Sequence, residues 1–173
     1  MLTPEFITRL AAVEKLCPQF HLSLQSGCTA TLRRMRRVYT AQEYAQVVEQ
    51  IRAAYGSRPV SFTTDCICGF PGETAEDFAE TLSLVEQVRY DAMFTFIFSP
   101  REGTPAATMP DPVSREEKQV WFDQLVETAN RISGEKHQEY IGRKLRVLVD
   151  GETGRGEYNL SARTNGGRLV HLK

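Results

Sequence analysis

A glycine-rich segment, residues 69–73, joins the end of a predicted strand to the start of a predicted helix. Glycine permits the backbone geometry of a tight turn, and Thr74 with Asp77 resembles the capping box that begins a helix. In parallel α/β folds, ligands commonly bind at the loop after a strand's carboxyl end, where helix amino termini supply free N–H groups. The segment therefore predicts a small-molecule site, although an ordinary strand-to-helix turn has the same spacing.

The cysteines raise the question of a metal site. Cys66 and Cys68 lie two apart on one predicted strand, and Cys17 and Cys28 are separated by ten residues. This spacing fits neither a zinc ribbon nor a ferredoxin, and apolar burial as reduced thiols is favoured. We predict no metal site.

Other ionisable residues give weaker signals. Asp65 lies inside an apolar strand, and we interpret it as a buried, hydrogen-bonded carboxylate rather than as a general base. The histidines His21, His137 and His171 are scattered, and we assign them no role.

Composition sets the class of protein. The 173 residues are 41% hydrophobic and 25% charged, enough for one core and a small second unit. No apolar run approaches a membrane span, and the first residues lack the features of a signal peptide, so we expect a cytoplasmic protein without a membrane partner. The net charge of −1 provides no global attraction for nucleic acid.

Strand and helix patterns alternate through residue 139. Strands are predicted near residues 20–24, 60–68 and 93–98, with helices following Gly27 to Arg37 and over residues 40–56, 74–88 and 114–140. This spacing favours βα units with a parallel sheet and right-handed crossovers. Residues 1–139 are therefore predicted to form part of a TIM-like (β/α) barrel.

The pattern changes after Tyr140. Short strands near residues 144–150, 158–163 and 168–172 are separated by glycine turns. We expect residues 140–173 to form a small antiparallel β module, and three strands with exposed edges seldom close a core of their own.

Three segments then carry a family resemblance. They read HLSLQSGC at residues 21–28, TDCICGFPGET at residues 64–74 and FTFIFSPREGTPAA at residues 94–107. In this order they resemble consecutive signatures of the radical S-adenosylmethionine (SAM) tRNA methylthiotransferases. LSART at residues 160–164 and RLV at residues 168–170 are similar to the start of that family's RNA-binding TRAM domain. This similarity implies that residues 140–173 form an incomplete small antiparallel β-barrel.

The resemblance implies a chemistry. In this family a 4Fe–4S cluster reductively cleaves SAM, and a methylthio group is inserted at carbon 2 of an N6-modified adenosine beside the anticodon of tRNA. The third segment and the TRAM-like residues look most like the branch that acts on dimethylallyladenosine. The first segment looks more like the sister branch that acts on threonylcarbamoyladenosine, and this alternative stays open.

The chain departs from the family pattern in its cysteines. The Cys-x3-Cys-x2-Cys loop that holds the first cluster has no counterpart here, nor has the triplet for a second cluster. We interpret the chain as a fragment, or an encoded truncated version, that needs a missing amino-terminal half. We expect it to bind no cluster and to leave SAM uncleaved when isolated, and catalytic residues are not assigned.

The resemblance also implies a cofactor site. Gly69, Phe70, Pro71, Gly72 and Glu73 match the segment that lies along SAM in radical SAM enzymes. We therefore expect that replacing Gly69 with valine weakens SAM binding. Three polar residues at strand ends are predicted to contact the cofactor, with a loop-stabilising hydrogen bond as the alternative for each: Gln25, Ser26 and Ser99.

Arginines are the predicted tRNA contacts. Arg101 follows the third strand, and Arg163 and Arg168 lie in the locally basic β module. A further cluster is predicted to bind phosphate, with a solvated helix face as its alternative: Arg33, Arg34, Arg36 and Arg37. Two other functions stay open, a non-catalytic RNA-binding remnant and a small phosphate-binding α/β domain that uses the Gly69–Gly72 turn.

Overall fold

Most helices of this chain begin where a hydroxyl side chain and an acidic side chain cap each other's backbone groups. In the computed structural model, which describes residues 2–173, the three predicted boxes are present: Thr40 with Glu43, Thr74 with Asp77, and Ser114 with Glu117. The helices are α1 (Pro4–Ala11), α2 (Thr29–Arg34), α3 (Ala41–Tyr55), α4 (Ala75–Val88) and α5 (Arg115–Gln138), with a 3-10 turn at Pro105–Thr108.

The strands of a parallel sheet alternate with these helices along the chain. Its strands are β1 (Gln19–His21), β2 (Ser61–Cys68) and β3 (Ala92–Ile97), paired in the order β1-β2-β3. The parallel pairing confirms the expectation from the βα spacing, and it brings the carboxyl ends of the strands to one edge.

The two faces of this sheet have different surroundings. Phe62, Cys66 and Cys68 are fully buried against the helices. On the other face, which faces away from the helices, Phe94 and Phe96 are about half exposed. The strands alternate accordingly, because successive side chains of a strand point to opposite faces.

A separate antiparallel sheet follows. Its strands β4 (Val147–Glu152), β5 (Leu160–Thr164) and β6 (Leu169–Leu172) pair in the order β4-β5-β6, with an irregularity between Val149 and Gly151. The antiparallel pairing is as predicted. Within the described residues, β4 and β6 remain the edges of this sheet.

The turn between β5 and β6 packs on the amino-terminal edge of the parallel sheet. A β-carbon at Gly166 would lie 3.3 Å from Cβ of Ser61, where β2 begins, and one at Gly167 would lie 2.4 Å from the side chain of Gln19 in β1. The carboxyl-terminal edge of the parallel sheet is at the other end of these strands, and the antiparallel sheet does not reach it.

Some boundaries differ from the predictions. The strand predicted over residues 20–24 ends at His21, because the amide of Leu24 donates to the hydroxyl of Thr64 rather than to a backbone carbonyl. The helix predicted to reach Arg37 ends at Arg34, and Arg36 adopts a positive φ of 58°. Helix α1 was missed, although Thr3 caps it and Pro4 occupies its first turn.

A helix that crosses a membrane needs about 20 consecutive, mostly apolar residues. Among residues 2–173, no helix has both the length and the apolar character required to cross a bilayer.

Candidate functional site

Two adjoining cavities open at the carboxyl-terminal edge of the parallel sheet. The larger, of about 520 Å³, is lined by Asp65, Phe96, Ser99 and Arg101, among others. The smaller, of about 250 Å³, is lined by Phe70 and by arginines after α2. The shared wall consists of Gln25, Ile67, Phe98, Thr104 and Ala106. This site lies where parallel α/β folds commonly bind ligands.

Gln25 stands between the two cavities. Its backbone continues the sheet, with its amide 2.9 Å from the carbonyl of Asp65, and it has a positive φ of 66°. Its side-chain oxygen accepts a 3.1 Å hydrogen bond from Arg37. The predicted cofactor residue Gln25 is therefore at the site and is already oriented by an arginine.

Glu73 holds the glycine-rich loop from inside. The residue is only 1% exposed, and its Oε2 accepts hydrogen bonds from the amides of Gly69 at 2.5 Å and Phe70 at 3.2 Å. Burial raises the pKa of Glu73 to about 7, while these amide donors act in the opposite direction. Glu73 thus binds its own loop, and the two amides that a phosphate would need already have an acceptor.

Gly69 and Gly72 have φ values of 71° and 77°, in the region that favours glycine. Gly69 also packs against α5: a β-carbon there would lie 2.7 Å from Cγ and Cδ of Lys118, whose ammonium pairs with Asp111. A valine at Gly69 would therefore meet Lys118 before any ligand, so it does not isolate an effect on cofactor binding.

The remaining cofactor candidates differ in accessibility. Phe70 contacts Phe98 edge to face, with ring centroids 5.0 Å apart, and forms a wall of the smaller cavity. Ser99 is exposed on the rim of the larger one, whereas Pro71 is buried in the loop. Ser26 is fully buried, with Oγ accepting from the amide of Cys28 and lying 3.3 Å from Oγ1 of Thr81. The structure does not bring Ser26 to the cavities.

The arginines of residues 33–37 separate into two groups. Arg34 is half-buried and donates to Asp77 at 2.6 Å and to Thr31 at 2.7 Å. Although burial opposes it, hydrogen bonds from Arg34 and Cys28 lower the pKa of Asp77. Arg36 and Arg37 are exposed and line the smaller cavity, whereas Arg33 is exposed away from it.

The predicted RNA-binding arginines of the β module lie at the opposite end of the sheet. Arg168 is almost buried and pairs with Asp91, next to the start of β3, and Arg163 pairs with Asp150. At the rise of a β-strand, the length of β2 separates the two ends by roughly 20 Å. The structure therefore does not bring Arg163 and Arg168 together with Arg36, Arg37 and Arg101.

The cysteines do not form a ligand set. Cys66 and Cys68 face the core, and burial raises the pKa of both thiols, that of Cys68 to about 12. Cys28 is also buried, whereas Cys17 is exposed, contrary to the prediction. In the part of the chain that the structure describes, no three His, Cys, Asp or Glu side chains form a group that could hold a metal ion. These residues do not fit an iron–sulfur cluster.

The sequence interpretation missed one cluster. Asp65 was expected to be buried, but its side chain is 33% exposed and lines the larger cavity, next to His21 and Ser23. The strand alternation carried the signal, because Asp65, Ile67 and Phe96 lie on the face opposite the core residues Cys66 and Cys68.

Comparison with known proteins relates the chain to a protein family. Residues 1–85 match the model of the radical SAM superfamily. The chain is 43% identical over 168 residues to a tRNA-2-methylthio-N(6)-dimethylallyladenosine synthase of Clostridium novyi (strain NT), covering 97% of this chain. Proteins of the same name from Clostridium botulinum (strain Langeland / NCTC 10281 / Type F) and Thermoanaerobacter sp. (strain X514) are 45% and 41% identical, each over 99% of this chain. The chain spans 36% to 38% of the length of these relatives.

Proposed function

We propose that this chain contributes the SAM and substrate face of a tRNA methylthiotransferase. The premise is that it belongs to the radical SAM superfamily through residues 1–85. The reaction would be methylthiolation at carbon 2 of an N6-modified adenosine. The observation that carries this proposal is the pair of cavities at the carboxyl-terminal edge of the sheet, with exposed arginines on the rim. The names of the relatives support tRNA as the substrate class.

The residues at the cavities fit SAM. A volume of about 520 Å³ is in the range of small-molecule sites, and the lining combines aromatic side chains with a few polar groups. Phe70 and Phe98 would form an apolar wall beside the cofactor, and Gln25 and Ser99 would donate to its ribose or carboxylate. SAM would supply the radical chemistry together with a cluster held outside these residues, and this chain would only position SAM.

Arg36, Arg37 and Arg101 would bind tRNA phosphates. They are exposed, close to the cavities, and flank the position of a base that enters the larger one. Residues 1–139 would then be the barrel part, and residues 140–173 the beginning of a TRAM-like RNA-binding module. Arg163 would act at a second contact about 20 Å from the rim, whereas Arg168 is held by Asp91.

Fluorescence anisotropy with an anticodon stem-loop tests this function. We expect the chain to bind the RNA, and Arg36→Ala with Arg37→Ala to weaken binding and to reduce its dependence on salt by roughly one released ion per lost phosphate contact. A matched control replaces two exposed arginines away from the site, Arg9→Ala with Arg131→Ala. An equal loss of affinity in both double variants would contradict the proposal. So would a wild-type chain that does not bind the stem-loop.

The threonylcarbamoyl branch is the second candidate substrate. Its N6 group carries a carboxylate, which Arg37 or Arg101 could bind, whereas a dimethylallyl group suits Ile67, Phe96 and Phe98. Stem-loops with either modification decide between them: we expect tighter binding of the dimethylallyl form, and selective weakening of the threonylcarbamoyl form by Arg101→Ala.

A further inference from the structure

The helix-free face of the parallel sheet carries a polar cluster beside an aromatic surface. Asp65 of β2 is directly opposite Phe94 of β3 in the register, and Ile67 is opposite Phe96. Phe94 and Phe96 are 55% and 51% exposed, unusual for phenylalanine in a strand. Asp65, Ile67 and Phe96 line the larger cavity together.

The carboxylate of Asp65 is held in one orientation. Its Oδ2 accepts from Oγ of Ser23 at 3.0 Å and lies 3.2 Å from Nε2 of His21. Because a carboxylate only accepts, Nε2 of His21 is the donor, and Nδ1 of the same ring lies 3.0 Å from Oγ1 of Thr63. Two donors on one oxygen, one of them braced by Thr63, fix the carboxylate on the cavity wall.

The second oxygen of Asp65 is available. Among residues 2–173, no side chain or amide donates to Oδ1. A ligand in the larger cavity that offers an N–H would complete the hydrogen bonding of this carboxylate, and a ligand that offers an oxygen or a ring nitrogen without hydrogen would be repelled by it.

We propose that Asp65 selects an adenine ring in the larger cavity by accepting a hydrogen bond from its N6–H, with Phe96 and Ile67 against the ring. Adenine keeps one hydrogen at N6 even when that nitrogen carries a single substituent. On the edge formed by the C6 substituent and N7, guanine and hypoxanthine offer only acceptors, so a carboxylate that faces this edge disfavours them. Asp65 is thus a specificity-determining residue, and Ser23 and His21 are its positioning residues.

The adenine has two possible sources, and for one of them, the RNA, this inference rests on the proposed function. The adenine could belong to the RNA or to SAM, and both present an N6–H. A site that merely needs an apolar ring would not distinguish adenine from hypoxanthine, because the two rings have nearly the same shape. The C6 substituent is therefore the group to vary.

The RNA arm uses two anticodon stem-loops that differ only in adenosine or inosine 3′ to the anticodon. We expect the wild-type chain to bind the adenosine form about tenfold more tightly than the inosine form. Asp65→Asn should abolish this preference, because an amide can also donate to O6. Asp123→Asn, the same chemical change on the exposed side of α5, is the matched control and should keep the preference.

The cofactor arm uses isothermal titration with S-adenosylhomocysteine and S-inosylhomocysteine. A preference for the adenosine compound that Asp65→Asn removes would support the inference and assign the adenine to the cofactor. Because the unmodified chain alone provides the adenine-to-hypoxanthine comparison, the result does not depend on a variant that folds poorly.

The outcomes separate the inference from the proposed function. If the stem-loops bind but neither arm distinguishes adenine from hypoxanthine, the inference is overturned and the proposed function stands. If no stem-loop binds, the proposed function fails, and the cofactor arm alone decides the inference. A preference that persists unchanged in Asp65→Asn overturns the role of Asp65.

Discussion

Arg168 donates a 2.9 Å hydrogen bond from Nη2 to Oδ1 of Asp91, a residue 77 positions earlier in the chain. The same carboxylate accepts through Oδ2 from Lys136 at 2.7 Å and from the amide of Phe62 at 2.8 Å, and its side chain is only 8% exposed. The guanidinium also lies over the ring of Tyr140, 4.8 Å from its centroid. One buried carboxylate thus joins β2, α5 and the antiparallel sheet.

This pair predicts that Arg168 stabilises the fold. Arg168→Ala leaves part of the charge of Asp91 uncompensated and should lower the free energy of unfolding by about 3 kcal/mol. Arg163→Ala, in β5 and in the exposed pair with Asp150, should cost less than about 1 kcal/mol. Urea denaturation measures both. Similar small losses for the two variants would show that the pair with Asp91 contributes little.

Glu73 predicts a pH dependence of stability. Its pKa rises from 4.5 to about 7 on folding, so its stabilising contribution is complete below pH 4.5 and is lost as the pH rises through about 7. Glu73→Gln keeps an acceptor for the amides of Gly69 and Phe70 without titrating. Between about pH 4 and pH 8, the free energy of unfolding of wild type should therefore fall by up to about 3 kcal/mol relative to that of the variant.

Urea denaturation across this pH range measures the effect. Glu76→Gln is the control, because hydrogen bonds from the backbone and from Thr74 lower the pKa of Glu76, and its pH dependence should have the opposite sign. A difference between wild type and Glu73→Gln that does not change with pH would contradict the prediction.

Gly69 and Gly72 predict different tolerances to alanine. Both have positive φ, so the backbone strain of the substitution is similar, but only the β-carbon at Gly69 would collide with Lys118; at Gly72 the nearest atom, Cδ of Arg34, is 3.6 Å away. Gly69→Ala should therefore be less stable than Gly72→Ala by about 1–2 kcal/mol. In a Lys118→Ala background the difference in thermal unfolding should shrink, and a difference of the same size there would exclude Lys118 as its cause.

The exposed sheet face predicts self-association of this chain. Phe94 and Phe96 form an apolar surface on a sheet with an unpaired edge, which favours contact with a second copy. We expect concentration-dependent oligomers in sedimentation velocity, reduced by Phe94→Ser. Phe6→Ser, on α1 and 48% exposed, should not reduce them. A monomer at all concentrations would show that this face does not associate.

The order of elements followed from the sequence because its signals are local. A capping box needs two residues three positions apart, and a buried strand or a glycine turn is recognisable over fewer than ten residues. The parallel sheet and the antiparallel sheet were predicted in this way, as was the edge of the parallel sheet at which the cavities open. The end of β1 was not, since the hydroxyl of Thr64, 40 residues away, takes the amide of Leu24.

The roles of individual polar side chains depended on the tertiary structure. Arg34 and Arg36 are two residues apart and both line the smaller cavity, yet Arg34 is held by Asp77 whereas Arg36 is exposed. In the same way, Glu73 turns inward to its own loop, and Asp65 faces the larger cavity with the support of His21. Residue type and spacing predicted the edge of the sheet at which the two cavities open. For Arg34 and Asp65 the outcome was decided by partners more than 40 residues away in sequence, because a charge removed from water needs a partner that only folding supplies.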